Sequence, residues 1–113
     1  MPKKGTIVLI PFPFTDLSSL KVRPAVVLSH GLKGDDVVLA FISSQMPKKK
    51  EPTDVLISKA SKGFAETGLK VDSFVRVSKI ATLDKKIMLG TLGTVSKDTE
   101  KEIDKGIRIL FGL

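Results

Sequence analysis

Apolar residues come in this chain as short runs, each closed by proline, glycine, serine or aspartate before it reaches the length of a helix. Thr6 to Ile10 ends at Pro11 and Pro13. Ala25 to Ser29 and Val37 to Ser43 are separated by His30-Gly31-Leu32-Lys33-Gly34-Asp35-Asp36, whose glycines and aspartates are turn chemistry. Asp54 to Ser58, Ser73 to Ile80 and Ile87 to Val95 are further short runs. Runs this short, rich in β-branched residues and bounded by turn formers, predict strands, with the second and third paired as an antiparallel hairpin. Alternation from Ser73 to Ile80 puts Arg76 and Ser78 on one face of a half-buried strand. Gly90 and Gly93 in the last run predict bends or bulges that let a sheet curl. Between the runs the sequence predicts a loop from about Phe12 to Val22, an exposed loop from Gln45 to Thr53, and an irregular stretch from Lys59 to Asp72.

The period changes only after Val95. Ser96 stands where an N-cap is needed, Asp98 and Glu100 fall in the first turn, and Ile103, Ile107, Leu110 and Phe111 recur at helical spacing up to Gly112. One amphipathic helix is expected to close a mainly β domain. Gly106 within it costs about 1 kcal/mol relative to alanine, so the helix depends on docking its apolar stripe.

With 113 residues the chain fits one domain, 1–113, able to bury a core without covalent staples. It has no cysteine and one histidine, His30, so neither a disulfide framework nor a thiolate or histidine zinc site is expected, and no cofactor is called for. Lys3 and Lys4 precede an apolar run, but Ile7 to Ile10 is too short for a signal peptide or a membrane span. The expectation is a cytoplasmic, soluble protein. Nineteen Lys+Arg against twelve Asp+Glu give +7, which suits a polyanionic partner.

Nucleophile elbows, paired metal ligands and phosphate-binding glycine loops are all missing from the sequence. What remains is a set of cations, hydroxyls and amides at strand ends: Lys21, Arg23, Ser43, Ser44, Gln45, Arg76 and Ser78. Arg23 leads them. Its planar fork matches phosphate, and Pro24 after it biases its backbone toward an extended conformation. Two readings of Arg23 are open, a phosphate ligand or a strand-start arginine paired with a carboxylate such as Asp16. Positioned cations and donors stabilise a transferring phosphoryl group. RNA is the natural substrate for such a set, because its 2′-hydroxyl is an internal nucleophile. An arginine is a poor general base at neutral pH, so Arg23 is expected to clamp phosphate and stabilise charge before it moves a proton. His30, at the far end of its strand, reads as a turn histidine. Lys48, Lys49 and Lys50 either attract phosphate without sequence preference or solubilise their loop.

Gly5-Thr6-Ile7-Val8, Pro11-Phe12-Pro13-Phe14-Thr15-Asp16, Lys21-Val22-Arg23-Pro24-Ala25-Val26-Val27-Leu28-Ser29, Phe41-Ile42-Ser43-Ser44, Gly68-Leu69 with Asp72-Ser73, and Ile80-Ala81-Thr82-Leu83-Asp84 run in this order through nearly the whole chain. Together they resemble the successive motifs of the MazF/PemK toxin family. The resemblance implies a small SH3-like β-barrel with a C-terminal α-helix, forming a homodimer. It also implies a metal-independent, sequence-specific endoribonuclease that cleaves single-stranded RNA (mRNA) and is restrained by a cognate antitoxin. By position, the family's catalytic arginine matches Arg23 and its strand-end threonine matches Ser43. Asp16, Lys21, Ser44, Gln45, Lys48, Lys49, Arg76 and Ser78 are the expected RNA contacts. Thr6 and Ser78 stand where many members carry acidic residues. Two other readings follow from that departure and from the fold: a non-catalytic RNA-binding or regulatory module, or a toxin that acts through protein contacts on a DNA-handling enzyme.

Overall fold

The computed structural model describes residues 2–12 and 21–113. One antiparallel sheet carries six strands: β1 (Thr6–Phe12), β2 (Lys21–Val27), β3 (Asp36–Ser43), β4 (Asp54–Ile57), β5 (Ser73–Asp84) and β6 (Gly90–Thr94). Their spatial order is β4-β5-β3-β2-β1-β6. The hairpin predicted from the apolar runs is present, with Ala25 opposite Phe41 and Val27 opposite Leu39. β2, however, begins at Lys21, four residues before its apolar run. Leu9 of β1 faces Pro24, while pairing with β3 starts only at Ala25, so on that flank no ladder bond is asked of the proline. The loop expected from Phe12 to Val22 therefore gives up both its ends to strands, and its remainder lies outside the described residues.

β5 is longer than the alternation suggested and is not regular. Arg76 faces Phe41, but the next paired residue of β3, Ala40, faces Ile80, so Val77, Ser78 and Lys79 form a bulge. Ser78 therefore does not continue the ladder face of Arg76. The bulge expected from the glycines of the last strand is also there. Ile7 faces Gly93 and Val8 faces Thr91, with Leu92 extra between them. The strand expected from Ile87 starts only at Gly90, and Ile87 instead ends a 3-10 turn, Lys85–Ile87, capped by the Asp84 side chain.

Two buried clusters cover the two faces of the curled sheet. One gathers Ile7, Val26, Ile42, Val75 and Val77 under Ile103 of the C-terminal helix, and the other gathers Val8, Ile10, Ala25, Val27 and Leu39, with Phe41 packed against it. Strand side chains alternate between faces. Arg23, Ala25, Phe41, Ser43, Arg76 and Asp54 thus share the face away from that helix, a placement read from the register.

The stretch 59–72 holds a four-residue helix, α1 (Phe64–Thr67), that the glycines around it hid from the sequence reading. Its end meets β6 backbone to backbone. A Cβ on Gly93 would lie 2.2 Å from the Glu66 carbonyl oxygen, and one on Gly68 would lie 2.3 Å from that of Leu92. The C-terminal helix, α2 (Lys97–Phe111), is capped as predicted: the Thr99 N–H donates to Ser96 Oγ at 3.1 Å, and Gly112 ends it at φ +68°. Gly106 sits against β4 and β5, where a Cβ would approach the Thr53 carbonyl oxygen and Val77 Cγ2 at 3.3 Å each. The helix tolerates its glycine because that position faces the sheet at close range.

Candidate functional site

Continuing the β2–β3 register two residues beyond Ala25 and Phe41 brings Arg23 level with Ser43, and the two meet in a pocket. Among the described residues it is lined by Arg23, Phe41, Ile42, Ser43 and Gln45 and encloses about 170 Å³. Arg23 is half-buried, and among the described residues its guanidinium has neither an ion pair nor a hydrogen bond. A partly desolvated cation is costly in a folded protein unless a counter-charge reaches it. Asp16, the counter-charge considered from the sequence, lies outside the described residues.

Ser43 ends β3 and shapes the chain beyond it. The Gln45 N–H donates to Ser43 Oγ at 3.1 Å, a local turn that occupies one acceptor position of the hydroxyl and leaves its proton for another partner. Gln45 is exposed on the pocket rim with no protein partner for its carboxamide among the described residues. Ser44, Lys21, Lys48 and Lys49 are exposed nearby in sequence but do not line the pocket. Met46, next to Gln45 in sequence, leaves 76% of its surface exposed.

Arg76 stands elsewhere and in other company. Its Nε donates to Asp54 Oδ1 at 2.8 Å and its Nη2 lies 3.6 Å from Glu51 Oε1. The Asp54 side chain is fully buried, and its second oxygen accepts the Glu51 N–H at 2.9 Å. The expected free cation on β5 is therefore neutralised internally. Ser78, in the adjacent bulge, has a buried hydroxyl without a hydrogen-bond partner among the described residues. It does not line the Arg23 pocket. Sequence reasoning missed Phe41 as a pocket wall and missed Asp54 and Glu51 altogether. The available signal was Arg76 itself, a charge between Val75 and Val77 that needs a carboxylate on a neighbouring strand. His30, as expected, is an exposed residue of the hairpin connection.

A family model for PemK-like, MazF-like toxins of type II toxin–antitoxin systems matches residues 3–111. The chain belongs to that family. Solved structures agree with the fold of this MazF-like chain. A mycobacterial endoribonuclease in complex with its cognate antitoxin is similar with a TM-score of 0.76 at 20% identity, over 100% of this chain and 97% of that one. MazF from Deinococcus radiodurans gives 0.73 at 23% identity, over 99% and 97%. The Mycobacterium tuberculosis toxin MazF-mt6 gives 0.74 at 19%, over 96% and 97%. The six-stranded curled sheet and closing helix of this MazF-like chain are thus the family architecture, with the Arg23 pocket on the face opposite the helix.

Proposed function

We propose that this chain is the toxin of a type II toxin–antitoxin pair and cleaves single-stranded RNA (mRNA) at a preferred sequence without a metal. The observation that carries this reading is the half-buried Arg23 guanidinium, without a carboxylate partner among the described residues, beside the Ser43 hydroxyl in one pocket. A phosphodiester placed there presents its charge to Arg23. The ribose 2′-oxygen attacks the adjacent phosphorus, loses its proton, and forms a bond as the bond to the 5′-oxygen breaks. A proton returns to that leaving oxygen, giving a 2′,3′-cyclic phosphate and a 5′-hydroxyl. Arg23 stabilises the phosphorane oxygens, and Ser43, its proton free, hydrogen-bonds the reacting group or relays a proton. Lys21, Ser44, Gln45, Lys48 and Lys49 approach the strand on either side, and Asp16 remains a candidate contact.

A cognate antitoxin restrains this activity by covering the same pocket with an acidic segment. The working unit is a homodimer. Supporting that state, Ile109, Phe111 and Leu113 are exposed at the end of α2, beside an apolar groove lined by Leu28, Leu32, Val38, Ile80 and Ile107. Such a surface favours burial against a second copy. Among the described residues no helix is long and apolar enough to cross a membrane, and the reading places the toxin in the cytoplasm, where mRNA is.

The test is cleavage of a long mixed-sequence RNA in excess EDTA, with end-group analysis of the products. Cyclic phosphate or 3′-phosphate ends with 5′-hydroxyls are expected. RNA bound but never cut would make the chain a binding module, and neither binding nor cleavage would favour a toxin acting on a protein target.

A further inference from the structure

The loop between β3 and β4 carries Lys48, Lys49 and Lys50, and it is held at both ends by side chains of the pocket face. At its start the Gln45 N–H is fixed on Ser43 Oγ, inside the pocket lining. At its end Asp54 accepts the Glu51 N–H at 2.9 Å and the Arg76 Nε–H at 2.8 Å, while the Asp54 N–H donates to the Glu51 carbonyl at 3.0 Å. Arg76 also lies 3.6 Å from the Glu51 carboxylate, which reaches back from the loop. Between these anchors Met46, Lys48, Lys49 and Lys50 are exposed, and no ion pair is made by the three lysines among the described residues.

A buried ion pair is weak evidence for stability, because desolvation cancels much of its attraction, but it fixes geometry. Here it fixes the last turn of a basic loop to β5, the strand next to the sheet edge. Arg76 faces Asp54 on one side and Phe41, a wall of the Arg23 pocket, on the other. The clamp and the pocket are therefore built on neighbouring positions of one ladder.

We infer that Arg76, Asp54 and Glu51 form an internal charge clamp that presents Lys48, Lys49 and Lys50 to the RNA backbone continuing out of the Arg23 pocket. The inference rests on the proposed RNA reading and sharpens it. Arg76 becomes a positioning residue and not a phosphate ligand, and the loop lysines become the electrostatic part of the substrate site. The occupant follows from charge. Three neighbouring lysines without an ion pair among the described residues, on a loop tied at both ends, suit successive phosphates of a strand already anchored at Arg23.

The paired variant Arg76→Met with Asp54→Asn removes both buried charges at similar volume and tests the clamp. Binding is measured with a mixed-sequence 2′-O-methyl RNA, which lacks the nucleophile, across a range of salt. Cleavage is measured with ordinary RNA. Expected are a several-fold loss of affinity, a shallower dependence on salt by roughly 0.7 per lost phosphate contact, and a raised KM with kcat kept. Neutralising Lys48, Lys49 and Lys50 to alanine should give at least as large a loss. Adding the clamp variant to that background should then change nothing further. Losses that simply add, or a clamp variant with wild-type affinity and salt slope, overturn the inference; the former makes Arg76 a direct phosphate ligand. If the paired variant melts below the assay temperature, Arg76→Lys carries the same measurements, since it keeps a cation beside Asp54 without the fork that also reaches Glu51. Failure of the underlying reading looks different, because the wild-type protein then neither binds nor cuts RNA.

Discussion

Arg23 and Arg76 stand on the same face of one sheet with β3 between them, yet Arg76 has two carboxylates beside it and Arg23 has none among the described residues. Both are partly buried, so both have given up hydration. Arg76 has recovered it from Asp54 and Glu51, and its energy is already spent inside the fold. Among the described residues Arg23 has not, and it lines a pocket together with Ser43 and Gln45. Local rules broken without internal compensation are expected at functional sites, and the proposed RNA reading assigns the missing partner of Arg23 to a phosphate.

Substitutions at the two arginines should separate stability from activity. The largest effect is expected at the clamp. Asp54→Ala leaves the partly exposed Arg76 with Glu51 alone and strips the Glu51 N–H of its acceptor, so a loss at the lower end of the range of about 3 to 5 kcal/mol for breaking a buried pair is expected. Thermal or urea unfolding should show that loss, and a variant as stable as wild type would mean that water reaches Arg76 freely. Next comes Arg23→Ala, which should leave the unfolding midpoint unchanged or raised while cutting RNA cleavage by about a hundred- to a thousand-fold, as loss of a preorganised oxyanion donor does. Near wild-type cleavage with an intact circular dichroism spectrum would remove Arg23 from the mechanism.

Smaller effects refine the contrast. Ser43→Ala deletes both the pocket hydroxyl and the acceptor for the Gln45 N–H. A loss of about 1 to 2 kcal/mol in kcat/KM is expected from one hydrogen bond, and a loss equal to that of Arg23→Ala would make Ser43 the principal group. The smallest is Lys21→Ala, at the exposed start of the strand that carries Arg23. Its effect on RNA binding should stay under about 1 kcal/mol and vanish at high salt, as exposed charges do. Persistence in high salt would place Lys21 inside the site.

What was legible in the sequence follows from how local each signal is. The strands announce themselves through β-branched runs, and α2 announces both its ends, because Ser96 and Gly112 act within a few residues of themselves. Arg23 was legible for the same reason, with Pro24 adjacent. The Arg76–Asp54 pair spans 22 residues of sequence, and only the pairing of β4 with β5 brings the two opposite each other. The bulge at Val77 to Lys79 was equally hidden, since alternation continues in the letters while the register shifts in space. α1 was masked by Gly63 and Gly68, which look like breakers and serve as its two ends at φ +89° and +74°.

Gly106 gives the fold a mechanical property that its stability alone does not describe. Because no side chain stands between α2 and the Thr53 backbone, the helix backs the segment directly, one residue before Asp54. The helix and the root of the basic loop thus meet through backbone, with no flexible side chain between them at that point.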